Sequence, residues 1–474
     1  MKSFQEIPMA PGKSPVLGHL IPLTRDPLGL FRSVPPGQEL LRLRVAATDV
    51  LLVCSPSLLD QVLRDDRTFD KGGLLFERAR EVIGDGVGSC PHAQHRRQRR
   101  LIQPAFHQDR MPGYAKVMTD CVVETTRTWH DGQEIDVLPE LVGVTMRILL
   151  LTLFSDSLSV QRAREMGKDA GILFKGFYWR MFMVPPFDKL PTPGNRRYRR
   201  AHTRLRQEAL TIVEERRRDQ AEDHGDLLSA MLASRDEPSD GPGPSGHGPS
   251  GHGPSGRGLS DDEIVDQVIT FLLAGTEITA GSTSWTLYLL AHHPEQRQRA
   301  FAEVDAVGRI PTIEDLPALP GLTSVINESL RVYTPGWISS RTTSDDSDLG
   351  GHRVPRGTTI IFSPYLIHHQ EALYPDPETF DPRRWEEPGG APAERSAYIP
   401  FGAGARKCVG DRFALTEVAL LLAAILSRWQ LDEAPSSRPR PKPGTVLTPA
   451  RLRMRVAERH VRHDTGTVPA PTPG

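Results

Sequence analysis

The chain has 474 residues, and its 58 basic and 59 acidic side chains leave a formal charge of −1, so the overall balance argues against nucleic acid or an anionic membrane as a general partner. Hydrophobic residues make up 38% and there are 41 glycines, an ordinary globular composition from which a sizeable core can be built. Cys54, Cys90, Cys121 and Cys408 lie far apart without a disulfide framework, which predicts reduced thiols in a cytoplasmic protein. Met1 to Ala10 carries no apolar run for a signal peptide or a transmembrane anchor.

Pro8 to Gly18 reads as a proline-punctuated strap. Leu40 to Val45 and Val50 to Cys54 are rich in β-formers around a turn at Ala46 to Asp49, which predicts a hairpin and the start of a β-rich lobe. Leu74, Leu75 and Phe76 form an apolar cluster in a glycine-bearing stretch. By themselves they suit loop packing as well as ligand contact. His95-Arg-Arg-Gln-Arg-Arg100 is a dense basic run, most simply a solvated face.

The stretch from Met118 to Asp156 is helical in pattern, and its apolar run Ile148 to Phe154 is too short to cross a bilayer. Gly171 to Val184 concentrates Phe174, Phe177, Tyr178, Trp179, Met181, Phe182 and Met183 in a chain that is only 6% aromatic. Asp236 to Gly258, with tandem Gly-Pro-Ser-Gly-His repeats, cannot bury enough apolar area to offset its ordering entropy. A flexible loop is expected there.

Ser260-Asp-Asp-Glu263 is a capping box, and apolar residues at helical spacing predict a helix from Asp261 to His293, stopped by Pro294. Its middle reads Ala274-Gly275-Thr276-Glu277-Ile278-Thr279. Glu328-Ser-Leu-Arg331 places a carboxylate and a guanidinium on one helix face, and Phe380-Asp-Pro-Arg-Arg-Trp385 follows some fifty residues later.

Phe401-Gly-Ala-Gly-Ala-Arg-Lys-Cys-Val-Gly410 then presents one cysteine between glycines, which let backbone pass close to a bulky flat group without a Cβ collision. Helical spacing resumes at Phe413, so Cys408 falls just before a helix N-terminus, where amides and the dipole favour a thiolate. One protein thiolate is what haem iron needs for O₂ activation. Zinc is a weak alternative, because no second cysteine lies at ligand spacing.

Together these stretches resemble the cytochrome P450 family. Phe401 to Gly410 fits its Phe-x-x-Gly-x-Arg-x-Cys-x-Gly loop without mismatch. The resemblance implies a mainly α fold with a smaller β-rich lobe, as one domain over residues 1–460, and a disordered tail over 461–474. It implies haem b with Cys408 as axial ligand, held by Phe401, Gly402, Gly410, Ala274 and Gly275. His95, Arg99, Arg341 and Arg406 become the propionate donors, although His95 stands where the family favours tryptophan. Glu328, Arg331 and Arg384 become a buried lock behind the cysteine loop.

The catalytic residues implied are Glu277, a proton source acting through water, and Ile278 and Thr279. The family's distal threonine falls on Ile278, which cannot donate, so water anchored by Glu277 and Thr279 is expected to take over. Leu74, Leu75, Phe76, Phe177, Phe182, Trp337 and Ile338 become the substrate pocket. The implied activity is monooxygenation of a hydrophobic small molecule, with terpenes as the substrate class. Ferredoxin and ferredoxin reductase would serve a monomer across a face made positive by Arg96, Arg97 and Arg100. Two alternatives stay open, a peroxide-using or rearranging haem–thiolate enzyme and a non-catalytic haem-binding protein.

Overall fold

The computed structural model describes residues 1–45, 47–155, 158–181, 190–219, 223–235, 258–386, 392, 394 and 396–459. Its longest helix, Asp261–His292, starts at the expected capping box: the Ser260 hydroxyl accepts from the Glu263 amide, and the Glu263 carboxylate accepts from the Ser260 amide. Two amides that the first turn leaves over are thereby satisfied. Pro294, which ends the apolar pattern, also opens the next helix, Pro294–Ala306, where its missing N–H costs nothing.

Asp261–His292 is buried on most sides over much of its length, which places it inside a core. It packs along Val137–Phe154, and Gly275 marks a close approach: a Cβ there would come within 2.7 Å of a Leu149 methyl. By length and composition alone these two helices are apolar enough to cross a membrane, but their apolar windows are mostly buried against protein. Asp411–Arg428, which follows the cysteine loop, joins the same core through Leu420, Leu421 and Leu422 and packs on Met111–Thr126.

The β-rich lobe forms as expected. Leu40–Val45 pairs antiparallel with Thr48–Val53, and the second strand starts two residues early because Asp49 lies opposite Arg44 and pairs with it at 3.0 Å. Thr359–Phe362 adds on in parallel, then Ser339–Thr343, then the two-residue strand Phe69–Asp70 at the edge. A second sheet, ordered Glu134–Asp136, Arg453–Glu458, Trp429–Glu433, covers the far end of the helical core. The architecture is mainly helical with a smaller β lobe. The expected flexible loop, but for Gly258, and the C-terminal tail lie outside the described residues.

Candidate active site

The cysteine loop is closed by the Cys408 amide, which donates to the Phe401 carbonyl at 3.0 Å, and by a 3₁₀ turn over Gly404–Arg406. Gly402 and Gly404 both have left-handed φ, +70° and +67°, which favours glycine. A Cβ on Gly404 would sit 2.0 Å from the Leu63 carbonyl oxygen, and one on Gly402 would meet nothing within 4 Å. Open space at Gly402 leaves the room expected beside a flat ligand, whereas Gly404 is held by protein packing. One is required by a neighbouring helix end and both by their own backbone.

Cys408 lies two residues before Gly410, the N-cap of Asp411–Arg428, as expected. Burial nevertheless pushes its thiol upward, and the opposing Gly410 amide and the charges of Arg99 and Lys71 do not reverse this. The helix N-terminus alone does not make the thiolate; a cation bound at the sulfur would. The residue is nonetheless exposed, because it opens onto a half-open cavity of about 360 Å³.

That cavity separates the cysteine loop from one face of Asp261–His292. Phe401, Gly402, Cys408 and Gly410 line one side, and Ala274, Gly275, Ile278 and Thr279 line the other. His95, Arg99, Arg341 and Arg406, the four expected anion contacts, all reach its wall. So does Lys71, which sequence reasoning missed; an Asp-Lys-Gly-Gly stretch gives no sign that its lysine will turn toward a cavity.

Arg406 is held by Asp66 at 3.0 Å, Asp70 at 2.8 Å and the Cys90 carbonyl at 2.8 Å. Arg341 has no carboxylate partner among the described residues; it donates to its neighbour's carbonyl at 2.7 Å and leaves Nε buried and unbonded. Lys71 donates to the Gly88 carbonyl, and Arg99 to that of Lys407.

Burial first, and then the charges of Arg341 and Arg406, bring Lys71 down to about 7. Burial, then Arg406, brings Arg341 down to about 10. His95 falls to about 3 through burial, then Arg406, Lys71 and Arg99, so its imidazole is neutral. Uncompensated buried cations call for an anion. A mostly apolar cavity lined by a cysteine sulfur and by under-neutralised cations fits a haem with its carboxylates.

The two residues expected to share a water are set apart. Glu277 faces a second cavity, of about 750 Å³, between Val137–Phe154 and Val160–Met181, together with Thr276. Ile278 and Thr279 face the cysteine cavity. At about 100° per residue, positions 277 and 279 point to nearly opposite sides. Burial raises the Glu277 carboxyl to about 7 against the pull of Lys442 and Lys175.

Thr279 instead faces Glu417, a fully buried carboxyl on Asp411–Arg428 that lines the same cavity and is raised to about 8 by burial. Sequence reasoning missed Glu417. Its one signal is an acid at the head of an apolar helical run, nine positions after the cysteine.

Of the expected substrate residues, Phe76 and Ile338 line the cysteine cavity. Trp337 does not: its indole donates to the Gly444 carbonyl at 2.9 Å and its ring packs by Phe31 in the core of the β lobe. Leu75 is also absent from the lining, and Phe177 packs against the helical core. The Leu74 side chain and Phe182 lie outside the described residues.

Behind the loop, Glu328 and Arg331 are fully buried and joined by two hydrogen bonds of 2.8 and 2.9 Å. Arg384 adds a contact at 3.3 Å to the same carboxylate, and the Trp385 indole donates to it at 2.9 Å. Arg331 spends its other N–H groups on the carbonyls of His368, Pro377 and Thr379. The expected lock is assembled.

Fold and site together define a helical protein built to hold a haem against a cysteine sulfur. The cytochrome P450 family model matches residues 8–455, and the chain belongs to that family. It is 41% identical to pentalenene oxygenase of Streptomyces avermitilis, over 95% of this chain and 97% of the relative. It is 42% identical to cyclooctat-9-en-7-ol 5-monooxygenase of Streptomyces melanosporofaciens, over 92% and 90%. The crystal structure of the cytochrome P450DA heme domain superposes with a TM-score of 0.83 at 26% identity, covering 96% of this chain and 98% of that one.

Proposed function

We propose that this protein is a monooxygenase that inserts one oxygen atom from O₂ into a C–H bond of a terpenoid, with haem b on Cys408. The observation that carries this reading is the placement of the Cys408 sulfur across a mostly apolar cavity from Ala274, Gly275, Ile278 and Thr279. A thiolate-ligated haem supplies the oxygen-activating chemistry there. Lys71, Arg99 and Arg341 hold its carboxylates by charge. Phe76 and Ile338 exclude water and offer the substrate only apolar contact. The relatives named for pentalenene and cyclooctatenol chemistry support a terpenoid over a polar substrate.

Electrons come from a separate acidic ferredoxin and its reductase in the cytoplasm. Their docking face is a groove lined by His92, Arg96, Arg99, Arg100 and His107, while Arg97 turns away to pair with Glu263. Titration with a terpene hydrocarbon and alcohol library tests the reading. Substrate-type absorbance shifts and ferredoxin-dependent product carrying label from ¹⁸O₂ are expected. Shifts with polar macrolides alone, or full turnover with peroxide and no ferredoxin, would overturn it.

A further inference from the structure

The helix Asp261–His292 carries a run of hydroxyls, and their hydrogen bonds single one out. Thr270, Thr276, Ser282, Thr283, Ser284 and Thr286 each donate to the carbonyl four residues earlier, the ordinary resting state of a helical hydroxyl. Thr279 does not. It is 1% exposed, makes no bond back to its own helix among the described residues, and lies on the wall of the cysteine cavity within hydrogen-bonding reach of the Glu417 carboxyl. Glu417 is 0% exposed and, among the described residues, has no hydrogen-bonding neighbour other than Thr279. Two polar groups this deeply buried are costly unless they serve each other.

The chemistry of the pair is asymmetric. A carboxylic acid can donate its O–H to the Thr279 oxygen, which frees the threonine proton to point into the cavity. A carboxylate can only accept, so it would draw the threonine proton away. Cys121, on the neighbouring Met111–Thr126, registers the Glu417 charge, and burial pushes its own thiol up to about 11, leaving it neutral. No cavity cation pairs with Glu417 among the described residues; the Thr279 hydroxyl, as a donor, favours its carboxylate, and burial outweighs that and favours the neutral acid.

We propose that Glu417 is a positioning residue: as a neutral acid it donates to Thr279 and so turns the Thr279 hydroxyl into a hydrogen-bond donor aimed at the cavity, replacing the donor that Ile278 lacks. The inference rests on the monooxygenase reading but makes its own claim about where a proton sits. Glu277, on the far side of the helix, has no part in it.

Infrared difference spectroscopy of the haem-loaded protein tests this directly. At pH 6 a carboxylic-acid C=O band is expected that Glu417→Gln abolishes, that shifts to higher frequency in Thr279→Val, and that returns to its place in Thr279→Ser. The band should fade on the alkaline side. The share of electrons ending in product should fall with it in the parent protein, whereas Glu417→Gln, whose amide donates at every pH, should lose that pH dependence. Absence of the Glu417 acid band at pH 6, or a band indifferent to Thr279→Val, would overturn the proposal. The thiolate spectrum of the same sample checks the underlying reading separately, so the two can fail independently.

Discussion

Two charge clusters accompany the cysteine loop, one buried and one facing the cavity, and they are built on opposite principles. In the first, one carboxylate, Glu328, serves Arg331, Arg384, the Trp385 indole and the Asp381 amide, and the spare guanidinium N–H groups end on carbonyls. Every strong donor there has a protein partner. In the second, Arg406 has Asp66 and Asp70, but Lys71, Arg99 and Arg341 reach the cavity wall without a carboxylate among the described residues. A closed cluster belongs to the scaffold, and an open one of a single sign is addressed to a ligand of the other sign.

The comparison breaks most readily at Glu328. Glu328→Ala would leave the fully buried Arg331 guanidinium, and Arg384 beside it, without a counter-charge, and a loss of about 3–5 kcal/mol in folding stability is expected by chemical denaturation. Arg341→Leu should behave in the opposite way. The haem-free protein is expected to be as stable as its parent or more so, while haem passes to a competing acceptor protein roughly tenfold faster, a difference of about 1.4 kcal/mol in retention.

Lys71 sharpens the contrast through pH. Its folded value, about 7, lies below the ordinary 10.5, so in that window the unfolded chain binds the extra proton and stability rises with pH. The stability contribution is present above 10.5 and is lost as pH falls through 7. Lys71→Met should remove a slope of up to about 1.4 kcal/mol per pH unit from the haem-free protein. Glu417, raised from 4.5 to about 8, runs the other way: its contribution is lost as pH rises between those values, and Glu417→Gln should flatten that decline. The smallest effect is expected at Trp337→Phe, where one hydrogen bond worth about 1 kcal/mol disappears and ligand titrations stay unchanged, because the ring lies outside the cavity.

What was legible in the sequence was what local spacing decides. The capping box at Ser260, the Glu328–Arg331 pair and the position of Cys408 before a helix all follow from neighbours a few residues apart, and all form as expected. Burial of isolated charges was not legible. Lys71 and Glu417 look in one dimension like any solvated lysine or helical glutamate, and only the fold turns the first into the cavity and buries the second. Facing was half legible: helical periodicity separates Glu277 from Thr279, but which side meets the cysteine depends on how two distant segments pack. Trp337 shows the same limit in a strand-edge segment, where Ile338 enters the cavity and the ring beside it turns to Gly444.

The central claim is that the Cys408 sulfur holds iron across the slot from Asp261–His292. The absorption spectrum of the ferrous carbon monoxide complex tests it most directly. The account expects the red-shifted Soret band for which the family is named, and its loss in Cys408→Ala. A parent protein without that band, or a Cys408→Ala variant that binds haem with an unaltered spectrum, would contradict it.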